Sequence, residues 1–187
     1  MDHSEKANAQ DGGTAGIGRG VSIVEKAEAH GKYLVQCFDK DGNLKWEDTI
    51  ENVVCTGGKN DALDKYLAGS AYTAAWYLGL ISATGYTTGP AAGDTMASHG
   101  GWQEDQNYSA GTRPAPTFAA ASGGSKSTSS AVSYSINATT TIKGCFLTSN
   151  NTKGGTTGIL YSAGTFSNGD KSVGNGDTLN VTYTASL

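Results

Sequence analysis

Near the end of the chain, TLNVTYTA sets Leu179, Val181 and Tyr183 against Asn180, Thr182 and Thr184 in alternation. Only an extended strand places every second side chain on one face, so this pattern demands a sheet with one buried and one wet side. AVSYSINA repeats it, with Val132, Tyr134 and Ile136 sharing a face. VSIVE (21–25), KYLVQCFD (32–39), LKWEDTI (44–50), TTIKGCFLTS and GILYSAGTF are further runs of branched and aromatic residues, most of them bounded by Gly, Asn or Asp. AAWYLGLI (74–81) is a continuous apolar run of strand length, as expected of a buried central strand. Short strands with turn clusters between them predict a mainly β chain, an antiparallel β-sandwich or jelly roll. The 27 Gly and only 16% charged residues agree with many strands and tight turns.

Two local features refine this. Asp39-Lys-Asp-Gly-Asn43 separates two strand-like runs, and Asp-Gly there signals a hairpin. The stretch is also similar to a calcium loop, but the glycine follows the second Asp directly and no Glu stands at the twelfth position, so the hairpin is favoured. GGKNDALDKYLAG (57–69) predicts one short helix, capped by Asn60, with Asp61 and Asp64 early and Gly69 at its end. Leu63, Tyr66 and Leu67 form an i, i+3, i+4 stripe that would cover a β core.

The domain expectation is a flexible, glycine-rich arm over residues 1–20 and a β-rich domain over 21–187, of which 21–56 is readable as a separate hairpin region. Gly16, Gly18 and Gly20 do not make a dinucleotide loop, because they precede a strand rather than open a helix. Residues 82–130 carry few regular signals and form a long excursion, of the kind that is usually functional.

Charge excludes some functions. The formal net charge is −4, and no basic tract exists to neutralise phosphates, so nucleic acid is not an expected partner. Residues 1–65 carry 12 acidic and 8 basic side chains, whereas residues 66–187 carry 5 of each. That long stretch must stay soluble through hydroxyls and amides, or bury its surface against other subunits. MDHSEKANAQDGG has no apolar h-region, and no apolar run reaches membrane-spanning length, so neither a secretory signal nor a membrane partner is expected. Cys37, Cys55 and Cys145 are odd in number and lack CxxC spacing, which predicts free buried thiols and no zinc site.

The window DTMASHGGWQE (94–104) gathers Asp94, Ser98, His99, Trp102 and Glu104. A Ser–His–acid triad is disfavoured: no G-x-S-x-G elbow is present, and adjacent Ser98 and His99 point apart in an extended chain. Asp94, His99 and Glu104 could ligate one ion only if the loop folded back on itself. The structural reading uses more of the residues. Asp94 with Thr95 makes an Asx turn, Gly100–Gly101 supplies positive φ, Trp102 anchors, and Met96 fills. His99 and Glu104 satisfy loop backbone or pair, and Arg113 forks onto Glu104 or Asp94. Tyr86, Trp102 and Tyr108 would suit either an interface or a sugar platform.

The succession ENVVCTGGKNDALDKYLAGS, AAWYLGLI, GDTMASHGGWQEDQNYSAGTRP, GCFLTSNNTKGGTTGILYSAG and GDTLNVTYTASL resembles a family of β-rich virion structural proteins of tailed bacteriophages, over roughly residues 35–187. DTMASHGGWQE and TKGGTTGIL are its most distinctive blocks. The resemblance implies a capsid cement (decoration) protein. Its expected partner is the major capsid protein, its expected assembly a homotrimer on the capsid exterior, and its expected site of synthesis the bacterial cytoplasm. No catalytic residue, metal ligand or cofactor is implied. A tail or fibre protein contacting the host receptor is the alternative, and a depolymerase is disfavoured by the few carboxylates after residue 66.

Overall fold

The computed structural model of the chain describes residues 28–67, 69, 71 and 75–187. The expected arm, the glycines at 16, 18 and 20 and the VSIVE strand lie outside them. Two antiparallel sheets face one another. The first has the order β2 (Leu44–Glu51), β1 (His30–Phe38), β11 (Thr178–Ser186), β6 (Ser125–Ser127), with β7 (Val132–Ser135) also paired to β11. The second runs β3 (Val53–Val54), β9 (Leu160–Thr165), β8 (Thr140–Thr148), β4 (Tyr77–Ser82), β5 (Glu104–Asp105), with β10 (Lys171–Val173) on β8. The body is therefore a mainly β sandwich.

Alternation fixes which side chains meet. Cys37 is opposite Leu179 and Leu179 is opposite Tyr134; Val35, Val181 and Val132 form the next row. Tyr33 is opposite Tyr183, with ring centroids 4.7 Å apart. These rows pack on Leu78, Leu80, Ile142, Cys145 and Leu147 of the second sheet. The outer face of the first sheet is wet and is laced by cross-strand polar pairs, Ser127–Thr184 at 2.8 Å and Gln36–Glu47 at 2.6 Å. Hydroxyls and amides thus take up the solvating task that charges perform elsewhere. β1 lies between β2 and β11, so residues 30–51 share a sheet with the C-terminal strand.

The DKDGN hairpin forms as expected. Gly42 sits at φ 85°, and the Asp39 carboxylate accepts from the amides of Asp41 and Asn43, both at 2.9 Å. The AAWYLGLI run forms β4 from Tyr77 onward, buried from Leu78 to Ser82. Residues 83–131 are irregular apart from β5, β6 and isolated bridges.

The helix departs from expectation in two respects. α1 spans Thr56–Leu67, so Asn60 lies inside it and caps nothing. Its Leu63–Tyr66–Leu67 stripe is exposed rather than packed on the core. The helix approaches β9 through Gly58, where a Cβ would come within 2.7 Å of the Tyr161 carbonyl oxygen. Gly58, half of a glycine pair that looks like a helix breaker, is what permits this approach. Gly69, at φ 64°, lies just past the helix end.

The three cysteines are free and buried. Burial pushes the Cys37 and Cys55 thiols up to about 11 and Cys145 further. Thiolate, the reactive form, is therefore scarce at neutral pH. In native buffer a disulfide reagent such as DTNB is expected to react with no thiol within minutes. Three equivalents should titrate after denaturation, and rapid native reaction of even one would contradict this burial.

Candidate functional site

The window 94–104 and the block 152–160 meet on the outer face of the second sheet. There Ile81, Phe146, Leu160 and Ala163 form a second apolar cluster, closed over by Met96 and Trp102. The sheet is thus buried on both faces, inward by its partner sheet and outward by the long excursion.

Trp102 organises the loop. It is 4% exposed, its ring lies 5.4 Å from that of Phe146, and His99 stacks on it at 4.1 Å with 24° between planes. Its Nε1–H donates to Asp94 Oδ2 at 2.9 Å. His99 Nδ1–H donates to the Trp102 carbonyl at 2.9 Å, which keeps the proton on that nitrogen in this geometry. Met96 is buried as filler.

Two expectations for this loop are corrected. Asp94 does not bond its own backbone two residues on; its carboxylate reaches back to the Ala91 amide at 3.1 Å. The forward turn belongs to Thr95, whose Oγ1 accepts from Ser98 N at 3.0 Å. Neither Gly100 nor Gly101 is among the positive-φ glycines. Gly101 is needed for space, since a Cβ there would lie 2.0 Å from Thr88 Cγ2.

The expected fork exists, and Glu104 is its acceptor. Arg113 Nε donates to Glu104 Oε1 at 3.0 Å and Nη2 to Oε2 at 2.8 Å. Arg113 is 1% exposed. Its remaining donors reach the carbonyls of Asn150 and Gly155, both at 2.9 Å. Glu104 accepts in addition from Tyr108 Oη at 3.2 Å and from Gly154 N at 2.5 Å. Four donors on one carboxylate occupy its acceptor sites. Lys153 adds a further tie, donating to Tyr108 O at 2.8 Å while lying 4.1 Å over that ring.

Sequence reasoning missed the receiving side of this brace. Asn150, Gly154 and Gly155 serve through backbone groups, which carry no residue-type signature. Asn150 Oδ1 also accepts from Thr152 N at 2.7 Å, an Asx turn that orients the loop. Trp102 and Tyr108 are buried, so neither contributes to an exposed sugar platform. Tyr86 is half-buried, with Lys143 Nζ 4.7 Å over its ring.

A cleft of about 200 Å³ lies between the two loops, with His99, Gln103, Gln106 and Thr156 on its walls. Small-molecule pockets usually measure roughly 300–1,000 Å³. Among the described residues, no group of three or more His, Cys, Asp or Glu is placed to hold a metal. Among the same residues no helix is long and apolar enough to cross a membrane. What the arrangement does chemically is hold two loops in fixed register on a sheet face. No protein-family model matches the chain, and no curated protein matches it at a significant level.

Two ion pairs lie elsewhere, and only the second, from β10 to β2, joins the two sheets. Lys45 bonds Asp177 at 2.5 Å and Lys171 bonds Asp48 at 2.7 Å. Burial alone would raise both carboxyls, but their lysines and neighbouring amides outweigh it and hold both below the ordinary 3.8. A carboxyl depressed in the folded state stabilises fully above its unfolded value, and that contribution is lost as pH falls through the folded value. The melting temperature is therefore expected to hold down to about pH 5 and to drop below about pH 4. An Asp48→Asn, Asp177→Asn double variant should start lower and show a flatter acid limb. An unchanged limb would assign acid sensitivity to other groups.

Proposed function

We propose that this chain is a structural protein of a tailed-bacteriophage virion, acting as a capsid cement (decoration) protein. In this reading it binds the major capsid protein on the exterior of the assembled shell as a homotrimer. The observation that carries the reading is the brace. The two blocks on which the resemblance rests, DTMASHGGWQE and TKGGTTGIL, spend their functional groups on each other through Glu104, Arg113 and Gly154. Side chains arranged in this way make a rigid surface rather than a reaction centre.

The physical mechanism is linkage. A protein that binds the assembled shell and not its dissociated subunits shifts the equilibrium towards the shell. Trimeric binding lets three modest contacts act together, and closed symmetry suits repeated positions on a capsid. The test is addition of purified protein to undecorated capsids. It should co-sediment with them, appear in hundreds of copies on the exterior by electron cryomicroscopy, and raise their thermal resistance. A few copies at the tail tip, with capsid stability unaffected, would reject the cement reading and favour a tail or fibre protein.

A further inference from the structure

The tripeptide Asn-Gly-Asp occurs twice, at Asn168–Asp170 and at Asn175–Asp177. An asparagine followed by glycine is open to attack from its own backbone, because glycine has no side chain to shield its nitrogen. That nitrogen can close on the asparagine side-chain carbon, Cγ, with the two atoms already held near each other by the chain. The nucleophile is the amide after loss of its proton. A hydrogen bond that holds the N–H must therefore break first. With the same three residues at both places, the fold separates them.

Both glycines have the same backbone shape, φ 87° at Gly169 and 90° at Gly176. Their surroundings differ. The turn at 174–177 is locked on the chain beyond β7: Gly176 N–H donates to Ile136 O and Ile136 N–H to Asp177 O, both at 2.9 Å. Asn175 N–H reaches Thr139 Oγ1 at 3.3 Å, and the buried Asp177 carboxylate accepts from Gly174 N at 2.7 Å. Between β9 and β10, by contrast, Gly169 N–H donates to no group among the described residues. A Cβ at Gly169 would meet nothing within 4 Å. One bond holds the exposed Asn168 side chain, from Nδ2 to Asp48 Oδ1 at 3.2 Å. It restrains the group under attack and leaves the attacking nitrogen free.

We infer that Asn168–Gly169 is a site of spontaneous deamidation and that the fold spares Asn175–Gly176. Gly169 N loses its proton to solvent and bonds to Asn168 Cγ. The Cγ–Nδ2 bond then breaks, and Nδ2 takes up a proton and leaves as ammonia. Water opens the resulting succinimide, at Cγ to give an aspartyl linkage or at the backbone carbonyl to give an isoaspartyl one. Water is the co-reactant, and nothing is oxidised or reduced. The product sets a carboxylate where an amide had donated to Asp48. Asp48 is also the acceptor for Lys171, the pair that joins β10 to β2. Deamidation thus places like charges together at a junction between the sheets. The inference stands apart from the virion reading.

Trypsin puts the two sites on different peptides, 154–171 and 172–187. The full chain is aged in mildly alkaline buffer, natively and in urea. Mass spectrometry follows the amide-to-acid exchange in each peptide, and fragmentation assigns the residue. Natively, Asn168 should react at least about five-fold faster than Asn175, the factor that one amide hydrogen bond is worth. In urea the two rates should converge. Equal native rates, or a faster Asn175, would overturn the assignment. A gap that persists in urea would overturn it too, by tracing the difference to sequence rather than fold. The consequence has its own readout. Asn168→Asp should lower Tm, and the loss should shrink in an Asp48→Asn background. A Tm that does not fall, or a loss undiminished in that background, would overturn the like-charge contact with Asp48.

Discussion

Replacing Arg113 by methionine is expected to destabilise the protein by about 3–5 kcal/mol, the range for removing one partner of a buried ion pair. The effect is large because the guanidinium serves three clients at once: the Glu104 carboxylate and the carbonyls of Asn150 and Gly155. Methionine fills much of the same volume, so cavity formation contributes little. The cost is an uncompensated charge on Glu104, itself buried, together with two carbonyls stripped of their donors. For a chain of this length the loss corresponds to a fall in Tm of roughly 6–20 °C. Arg113→Lys should fall between the two, because one ammonium keeps the charge without the planar fork. Urea denaturation of the three proteins checks the order. Hydrogen exchange should show the largest change at residues 150–157, the loop that loses its anchor. A methionine variant within 1 kcal/mol of the parent would mean that the loops hold their register by other contacts, and the brace would lose its place in the proposed function.

How much of this was legible in the sequence depends on the range of the interaction. Alternation is a property of the strand itself, so Leu179, Val181 and Tyr183, and likewise Val132 and Tyr134, reveal their buried face locally. The hairpin at Asp39–Asn43 is equally local, since its side-chain bonds span at most four residues. The Arg113–Glu104 fork was legible for a different reason. A guanidinium in a nearly uncharged stretch has few carboxylates to choose from, and Glu104 is nine residues away.

What failed depended on tertiary space. Periodicity shows that α1 has an apolar face, but not which face the sheet covers. The helix start at Thr56 was hidden because Gly57 and Gly58 oppose helix locally, and only the approach to Tyr161 explains Gly58. Gly101 misled in the same way: the demand on it is room for Thr88, which φ-based reasoning does not see. The 83–131 excursion pairs through two- and three-residue strands and single bridges, too short for any alternation to register.

Trp102→Ala is the second large expected effect, about 3–5 kcal/mol for deleting a buried aromatic side chain. The distribution of that loss matters more than its size. The apolar cluster that Trp102 closes lies outside the second sheet, whereas the rows between the sheets form a separate cluster. Removing the indole opens a cavity over Phe146, leaves His99 without its stacking partner, and takes the donor from Asp94. The 94–104 loop should loosen first while the sandwich persists. Near-ultraviolet circular dichroism and hydrogen exchange at residues 91–104 should therefore change at temperatures where the far-ultraviolet strand signal is still intact. Trp102→Phe retains the contact with Phe146 and should lose less. His99→Ala removes the stacked ring and the Nδ1–H bond to the Trp102 carbonyl, about 0.5–1.5 kcal/mol each, and should leave the loop closed. If loop and sandwich instead melt together in Trp102→Ala, the two apolar clusters form one cooperative unit. The excursion would then be part of the core itself, and the picture of a separately braced contact surface would have to be abandoned.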